Sequence, residues 1–295
     1  MHLKTLMANL TNLEGENLVS FNKGLISKNI AEIEQLLPII RPYPIIHLYR
    51  YRSMESKEIE GIFERRQIRL PNPTTFNDPF ECRPNITIHT GLKKELFLRK
   101  MAKDKLRGAD KKTIKKQVSK GKKELLPHYG LIESLYKETI KKFGVYCLSE
   151  KKDDILMWSH YSNGHKGLCI EYDSSHEGTL FWEACKVIYQ EDYPIVNVMD
   201  FGKPKEFCKA FLTKSVHWKY EQEWRILKTP DEGGPGFYRF SPELLTGLIL
   251  GALIEDRHRL KIFDWISHYP TQIKVYQAKI GRTKYELDIE PIKTP

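Results

Sequence analysis

The segment Trp218-x-x-Glu221-x-Glu223-Trp224-Arg225 sets two carboxylates two residues apart between two tryptophans, with a guanidinium beside them. On an extended segment, residues i and i+2 project from one side. Carboxylates so placed repel each other, and the repulsion lifts one pKa toward the range of a general acid or base. One of them can instead hydrogen-bond a sugar hydroxyl or stabilise a cationic transition state, as in glycosyl transfer. The plainer use of the same residues is an Arg225–carboxylate pair that bolts a strand to a helix. Glu223 and Glu221 are the first catalytic candidates.

Two further clusters place polar groups among large aromatics, where burial demands partners or shifts pKa. Met157-Trp158-Ser159-His160-Tyr161, followed by Ser-Asn-Gly-His-Lys-Gly, offers imidazole, phenol and hydroxyl at a loop edge. His160 and Tyr161 are catalytic candidates there, and Trp158 a ring for a ligand; as core residues with satisfied polar tips, Trp158 and His160 read equally well. His160 and His165 lack the i, i+4 spacing of a helical zinc pair, so no metal is expected. In Phe76-Asn77-Asp78-Pro79-Phe80-Glu81, Asn77 reads as a turn former that bonds its own backbone, while Asp78 and Glu81 serve either the turn or a ligand. Tyr49-Arg50-Tyr51-Arg52 puts two arginines on one face of a strand and two tyrosines on the other. An arginine with an aromatic neighbour clamps a pyrophosphate and a base; an amphipathic edge strand would look the same. Arg50, Arg52, Tyr51, Asn77, Asp78, Trp158 and Arg225 form the candidate cofactor-binding set. Phosphate-loop, dinucleotide-binding, HExxH and GxSxG patterns do not occur.

The elements that must position these groups alternate irregularly. Ile26, Ile30, Ile33 and Leu37 recur at helical spacing, which predicts helices over residues 1–44 as an N-terminal extension ended by prolines. Strands are expected at 45–51 and 67–71, around a helix at 57–66. A helical insert at 91–143 is predicted to break near Gly108, Gly121 and Pro127. Strands at 144–149, 167–172, 186–189 and 223–227 follow, with a turn-helix at 155–161 and a helix at 207–214. A helix at 257–268 and a closing strand at 273–280 complete the pattern. Without regular βαβ alternation, the expected class is α+β with a mixed, mainly antiparallel sheet, one domain over 45–290.

The 295 residues carry a net charge of +10, and 40% are hydrophobic, enough for a packed core. Between Gly91 and Phe143 there are 17 Lys and Arg against six Asp and Glu, so the remainder is near neutral, with 31 basic and 32 acidic residues. That insert either attracts phosphate backbones or presents a solvated helical face. Five isolated cysteines, no apolar run of ~20 residues and an N-terminus without an apolar leader read as a cytoplasmic chain with no membrane contact.

Taken in order, Leu48–Arg52, Phe76–Glu81, Met157–Tyr161 with Gly167–Tyr172, and Lys214-Ser215 with Trp218–Arg225 resemble a bacterial family of unknown function. That family is marked by FNDPFE, MWSHY and E-x-EWR motifs, and its members often look like parts of phage-defence or toxin-type islands. The resemblance spans roughly residues 45 to 250. More loosely, the motif order is similar to the ADP-ribosyltransferase superfamily, which implies a split sheet and NAD as substrate. On that likeness Arg50 or Arg52 would hold the pyrophosphate, Tyr161 would pack on the nicotinamide, and Glu223 would bond the ribose. No Ser-Thr-Ser strand is present, and His47 competes with the arginines for the early-strand role.

Three functions follow as expectations. The first is a toxin-type effector enzyme using NAD, with nucleic acid as a target. The second is a non-enzymatic module binding nucleic acid or a defence-system partner such as an antitoxin. The third is a metal-dependent nuclease built on Asp78, Glu221 and Glu223.

Overall fold

The computed structural model describes residues 42–87, 106–124, 129–197 and 209–293, with short pieces between 95 and 103. The expected N-terminal helices lie outside the described residues. Fourteen strands are described: β1 (His47–Arg52), β2 (Gln67–Leu70), β3 (Asn85–Thr87), β4 (Gly144–Ser149), β5 (Leu168–Asp173), β6 (Cys185–Lys186), β7 (Ile188–Gln190), β8 (Ile195–Asn197), β9 (Thr213–Ser215), β10 (Glu223–Lys228), β11 (Gly236–Arg239), β12 (Leu245–Leu250), β13 (Lys274–Ile280) and β14 (Leu287–Pro291). The helices are α1 (Ile59–Glu64), α2 (Lys111–Glu124), α3 (Tyr129–Ile140), α4 (Ile155–Tyr161) and α5 (Asp256–Ser267).

Eight strands form one continuous sheet in the order β14-β13-β12-β5-β1-β4-β10-β6. All its pairings are antiparallel except β12 with β13, which α5 connects in sequence and which run parallel. The class is therefore α+β with a large, mainly antiparallel sheet. β1 is not an edge strand: β5 and β4 flank it, and it is buried at Leu48, Tyr49 and Tyr51.

Register assigns every side chain to a face. Tyr49, Ser149 and Glu223 oppose one another across β1, β4 and β10, as do Arg225 with Cys147 and Ile226 with Tyr146. The Tyr146 face carries Leu48, Leu148, Ile170, Tyr172, Trp224, Ile226, Leu248 and Leu250, packed against Ile62 and Phe63 of α1 and Ile262 and Trp265 of α5. Phe63 stacks on Trp265 at 4.9 Å. The Glu223 face carries two smaller apolar clusters. One joins Tyr49, Tyr51 and Cys169 to Met157 and Trp158 of α4. The other joins Val145 to Cys82, Ile86, Phe211 and Tyr136 and Ile140 of α3.

Several local expectations are corrected. Gly121 does not break the insert; α2 runs through it because Leu98 fills the space a Cβ would take, 2.9 Å away. The helix expected at 207–214 ends at Phe211, and Lys214 lies on β9. The strand expected at 186–189 is split at Val187 into β6 and β7. β13 does not close the sheet; β14 pairs outside it.

Candidate functional site

Between the two smaller apolar clusters, five side chains form a buried ionic network. Glu223 heads β10 and is 2% exposed; its Oε1 accepts from Arg225 Nε at 2.7 Å, and its Oε2 from Arg225 Nη2 at 2.9 Å and Lys214 Nζ at 3.0 Å. Arg225, fully buried, also donates Nη2 to Glu81 at 2.5 Å and Nη1 to the Phe211 carbonyl at 2.7 Å. Lys214 Nζ reaches Glu81 at 2.9 Å and Glu221 at 2.5 Å as well as Glu223. Glu221 Oε1 accepts from the Tyr161 hydroxyl at 2.6 Å. Two cations thus face three carboxylates, one negative charge in excess.

That excess falls on Glu221. Burial, then the neighbouring Glu223, raises its carboxyl to about 7, against the pull of Lys214 and the Tyr161 hydrogen bond. Glu223 goes the other way: burial would raise it, but Arg225 and Lys214 hold it well below the usual carboxylate range. Two carboxylates whose surroundings drive their pKa values apart are the usual arrangement of an acid–base pair. Burial and Glu221 both raise the Tyr161 phenol, so it remains a hydrogen-bond donor.

Glu221 and Glu223 share a side, though not because the segment is extended. Glu221 ends a 3-10 helix (Val216–Glu221), and Gln222 takes a left-handed conformation at φ 42° before β10 begins. The backbone is pinned around that turn: Ser149 Oγ donates to the Glu221 carbonyl, Glu150 N to the Gln222 carbonyl at 3.1 Å, and Glu223 N to the Tyr189 hydroxyl at 2.8 Å. A non-glycine residue held there by its surroundings is a common feature of functional sites.

All three aromatic-charged segments converge on the network. Phe76 lies under the Arg225 guanidinium at 5.7 Å and Glu81 binds it; α4 supplies Tyr161; the Trp218 ring lies 5.0 Å from Lys214 Nζ. Glu81 and Lys214 had weak sequence signals, Glu81 at the tail of a turn and Lys214 at the supposed end of a helix. Asp78, and not Asn77, makes the Asx turn, accepting Phe80 N at 2.9 Å, while Asn77 is exposed. His160 is exposed and touches Tyr161 and Trp218 edge-on at 6.2 and 6.4 Å. Trp158 and Tyr51 are core residues in a T-shaped pair at 5.2 Å, their polar tips bonded to the carbonyls of Lys152 and Lys151. Arg50 and Arg52 are not brought to the network: register puts them on the Tyr146 face, across the sheet.

Lys214 and Glu81 line an open cleft of about 530 Å³. Around it stand Asp78, Glu191, Asp192 and Arg83 with the rings of Phe80, Tyr193 and Trp218, and Phe80 is 61% exposed. Exposed aromatics and carboxylates around a concavity suit a planar or cationic ligand. Among the described residues, no group of three or more His, Cys, Asp or Glu is disposed to hold a metal ion. No helix among them is long and apolar enough to cross a membrane.

No curated protein and no solved structure matches the chain. Its looser likeness to ADP-ribosyltransferases accordingly has no counterpart in these comparisons. Residues 157–226, from α4 to β10, match a family described as a protein of unknown function (DUF2971). The match is narrower than the motif resemblance and leaves out β1 and Phe76–Glu81, yet it contains Tyr161, Lys214, Glu221, Glu223 and Arg225. It is to that family of unknown function that this half of the site is similar.

Proposed function

We propose that the chain is an effector enzyme that cleaves the glycosidic bond of NAD⁺ and transfers the ADP-ribosyl group to an acceptor or to water. The observation that carries this reading is Glu221, a carboxyl with a pKa of about 7 tied to Lys214, which in turn lines the acidic, aromatic cleft. Rings and carboxylates there suit the cationic pyridinium of NAD⁺. As the C–N bond breaks, nicotinamide leaves with the bonding pair and becomes neutral, and the ribosyl carbon gains cationic character. The acceptor's oxygen or nitrogen then bonds that carbon, and Glu221 takes its proton. Glu223, both of whose oxygens are held by Arg225 and Lys214, supplies the charge that keeps Glu221 basic enough for the task. The anti-phage or toxin-type setting rests on the motif resemblance alone, and a cytoplasmic location on the isolated cysteines and the lack of a long apolar run. The test is nicotinamide release by the purified protein from NAD⁺, wild type against Glu221→Gln. Release that rises with pH through about 7 and falls at least a hundredfold in a variant of unchanged melting temperature supports the reading. No release, with and without cell nucleic acid, defeats it.

A second reading has its own observation. Every carboxylate of the network is already paired and nearly sealed, with side-chain exposures of 3–6%, so the network also makes sense as a bolt joining Glu81, β9, the 3-10 helix and β10. The chain would then be a non-enzymatic module. Exposed Lys111, Lys112, Lys115 and Lys116 of α2 would engage nucleic acid or an acidic partner such as an antitoxin. Salt-dependent binding of nucleic acid, lost when those lysines become glutamates, without any NAD⁺ turnover, favours it. The nuclease reading draws no support from the carboxylates, since Glu81, Glu221 and Glu223 converge on an ammonium.

A further inference from the structure

Across the sheet from the network, Arg50 and Arg52 lie side by side on the Tyr146 face of β1. Their guanidinium carbons sit 5.0 and 5.8 Å from the Tyr146 ring centroid. Arg50 donates Nη1 to the Cys147 carbonyl at 2.7 Å. Arg52 pairs with Glu58 at 3.0 Å, and Arg69 of β2 takes the other oxygen of the same carboxylate at 3.0 Å. Among the described residues, Arg52 and Arg69 therefore share one carboxylate, and Arg50 is within ion-pair distance of none. The other acid that influences Arg50, Glu223, is on the opposite face and committed to Arg225 and Lys214.

The hydrogen bonds are as incomplete as the charge. The Nε of Arg50 and the Nε of Arg52 are both buried without an acceptor, and the hydroxyls of Tyr146 and Tyr172, buried beside them, have at most each other. Buried donors on charged groups are costly to leave unmade, and like charges side by side add to the cost. Burial, and Arg50 next to it, lower the Arg52 pKa, as expected of a cation short of counter-charge. The cluster is not sealed: the side chains of Arg52, Glu58 and Arg69 are 14%, 21% and 49% exposed, so the arginine pair is approached from the Glu58–Arg69 side.

We propose that Arg50, Arg52 and Arg69 form an oxyanion-binding site, separate from the Glu221 network, for a phosphate group, free or carried on a nucleotide. A tetrahedral anion offers oxygens to the Nε–Nη edges of the forked guanidinium groups, and its charge offsets the cationic surplus. Arg69, the exposed member, closes the site from the rim. Occupancy would brace β1 against β2 and α1, the wall of the large core, and stabilise the fold by mass action.

The experiment is isothermal titration and thermal unfolding of the full chain with inorganic phosphate, pyrophosphate and ADP in turn, in a phosphate-free buffer. Wild type, Arg52→Lys and Arg69→Gln are compared; Arg52→Lys keeps the charge while losing the fork, and Arg69→Gln changes a half-exposed side chain that the fold tolerates. The expected result is saturable one-to-one binding that raises the melting temperature and weakens at least tenfold in both variants. Tighter binding of inorganic phosphate or pyrophosphate than of ADP identifies a free anion as the ligand; preference for ADP identifies a nucleotide. No saturable binding at millimolar concentration overturns the proposal. Binding that is equal in all three proteins also overturns it, since the anion then sits elsewhere, on the lysine-rich α2 for example. The outcome is independent of the NAD⁺ reading, because Glu221→Gln alters the other face.

Discussion

Replacing Glu221 by glutamine should make stability respond to pH in a way that isolates this one group. In the folded protein its carboxyl is raised from 4.5 to about 7, by burial first and Glu223 second. With the folded pKa above the unfolded value, the folded state binds more protons than the unfolded chain over that interval. Glu221 therefore contributes stability that is present below pH 4.5 and is lost as pH rises through about 7. A gap of one pH unit between the folded and unfolded pKa corresponds to about 1.4 kcal/mol, so the full loss is about 3 kcal/mol. Glutamine cannot ionise and removes this slope. Its other effects, taken against the protonated carboxyl, add a nearly constant offset, because the attraction of Lys214 to the ionised form is already part of the pKa. The quantity to follow is the stability of Glu221→Gln minus that of wild type, from urea unfolding at half-unit steps between pH 4.5 and 8. It should climb by about 3 kcal/mol across the range, with its steepest part midway between the two pKa values, near pH 5.5 to 6. Taking a difference cancels the other titrating groups, including Glu223, whose depressed pKa acts below this window. A flat difference would mean that Glu221 has an ordinary pKa, and a falling one that Lys214 dominates; either result refutes the charge count on which the acid–base assignment rests.

Two other substitutions test the network's construction. Lys214→Met removes the cation shared by three carboxylates and should cost about 3–5 kcal/mol at pH 8, part of it regained at pH 5 as the carboxylates protonate; the same urea series reads both. Gln222→Gly should stabilise the protein by up to about 1 kcal/mol, since glycine accepts φ 42° without strain, whereas Gln222→Val should destabilise it by at least as much. Equal melting of Gln222→Gly and Gln222→Val would show that the left-handed turn stores no strain.

Much of this architecture can be read along the chain because it follows from local pattern. The β-formers of 144–149, 168–173 and 223–228 become central strands, and Asp154 caps the short helix that presents Tyr161. The pairing of Arg225 with a carboxylate was legible for the same reason, since Glu223 and Arg225 are i, i+2 on one strand face. Local pattern fails where a long-range neighbour overrides it. Gly121 stays helical because Leu98 packs onto it, and Lys214 is drawn out of a helix into β9 by pairing with β7.

Residue types and spacing by themselves determined that carboxylates, a phenol, an ammonium and a guanidinium would sit among aromatics in three segments, and that such groups would need one another. Only the tertiary structure decided which of them meet. Strand register is the reason: a side chain's face is set by whom its strand pairs with, and Tyr49 opposite Ser149 opposite Glu223 sends Arg50 and Arg52 to the far side of the sheet. The left-handed turn at Gln222, Lys214 on the neighbouring β9 and Glu81 arriving from a sequence-distant turn then set the net charge around Glu221, and with it a pKa near neutrality.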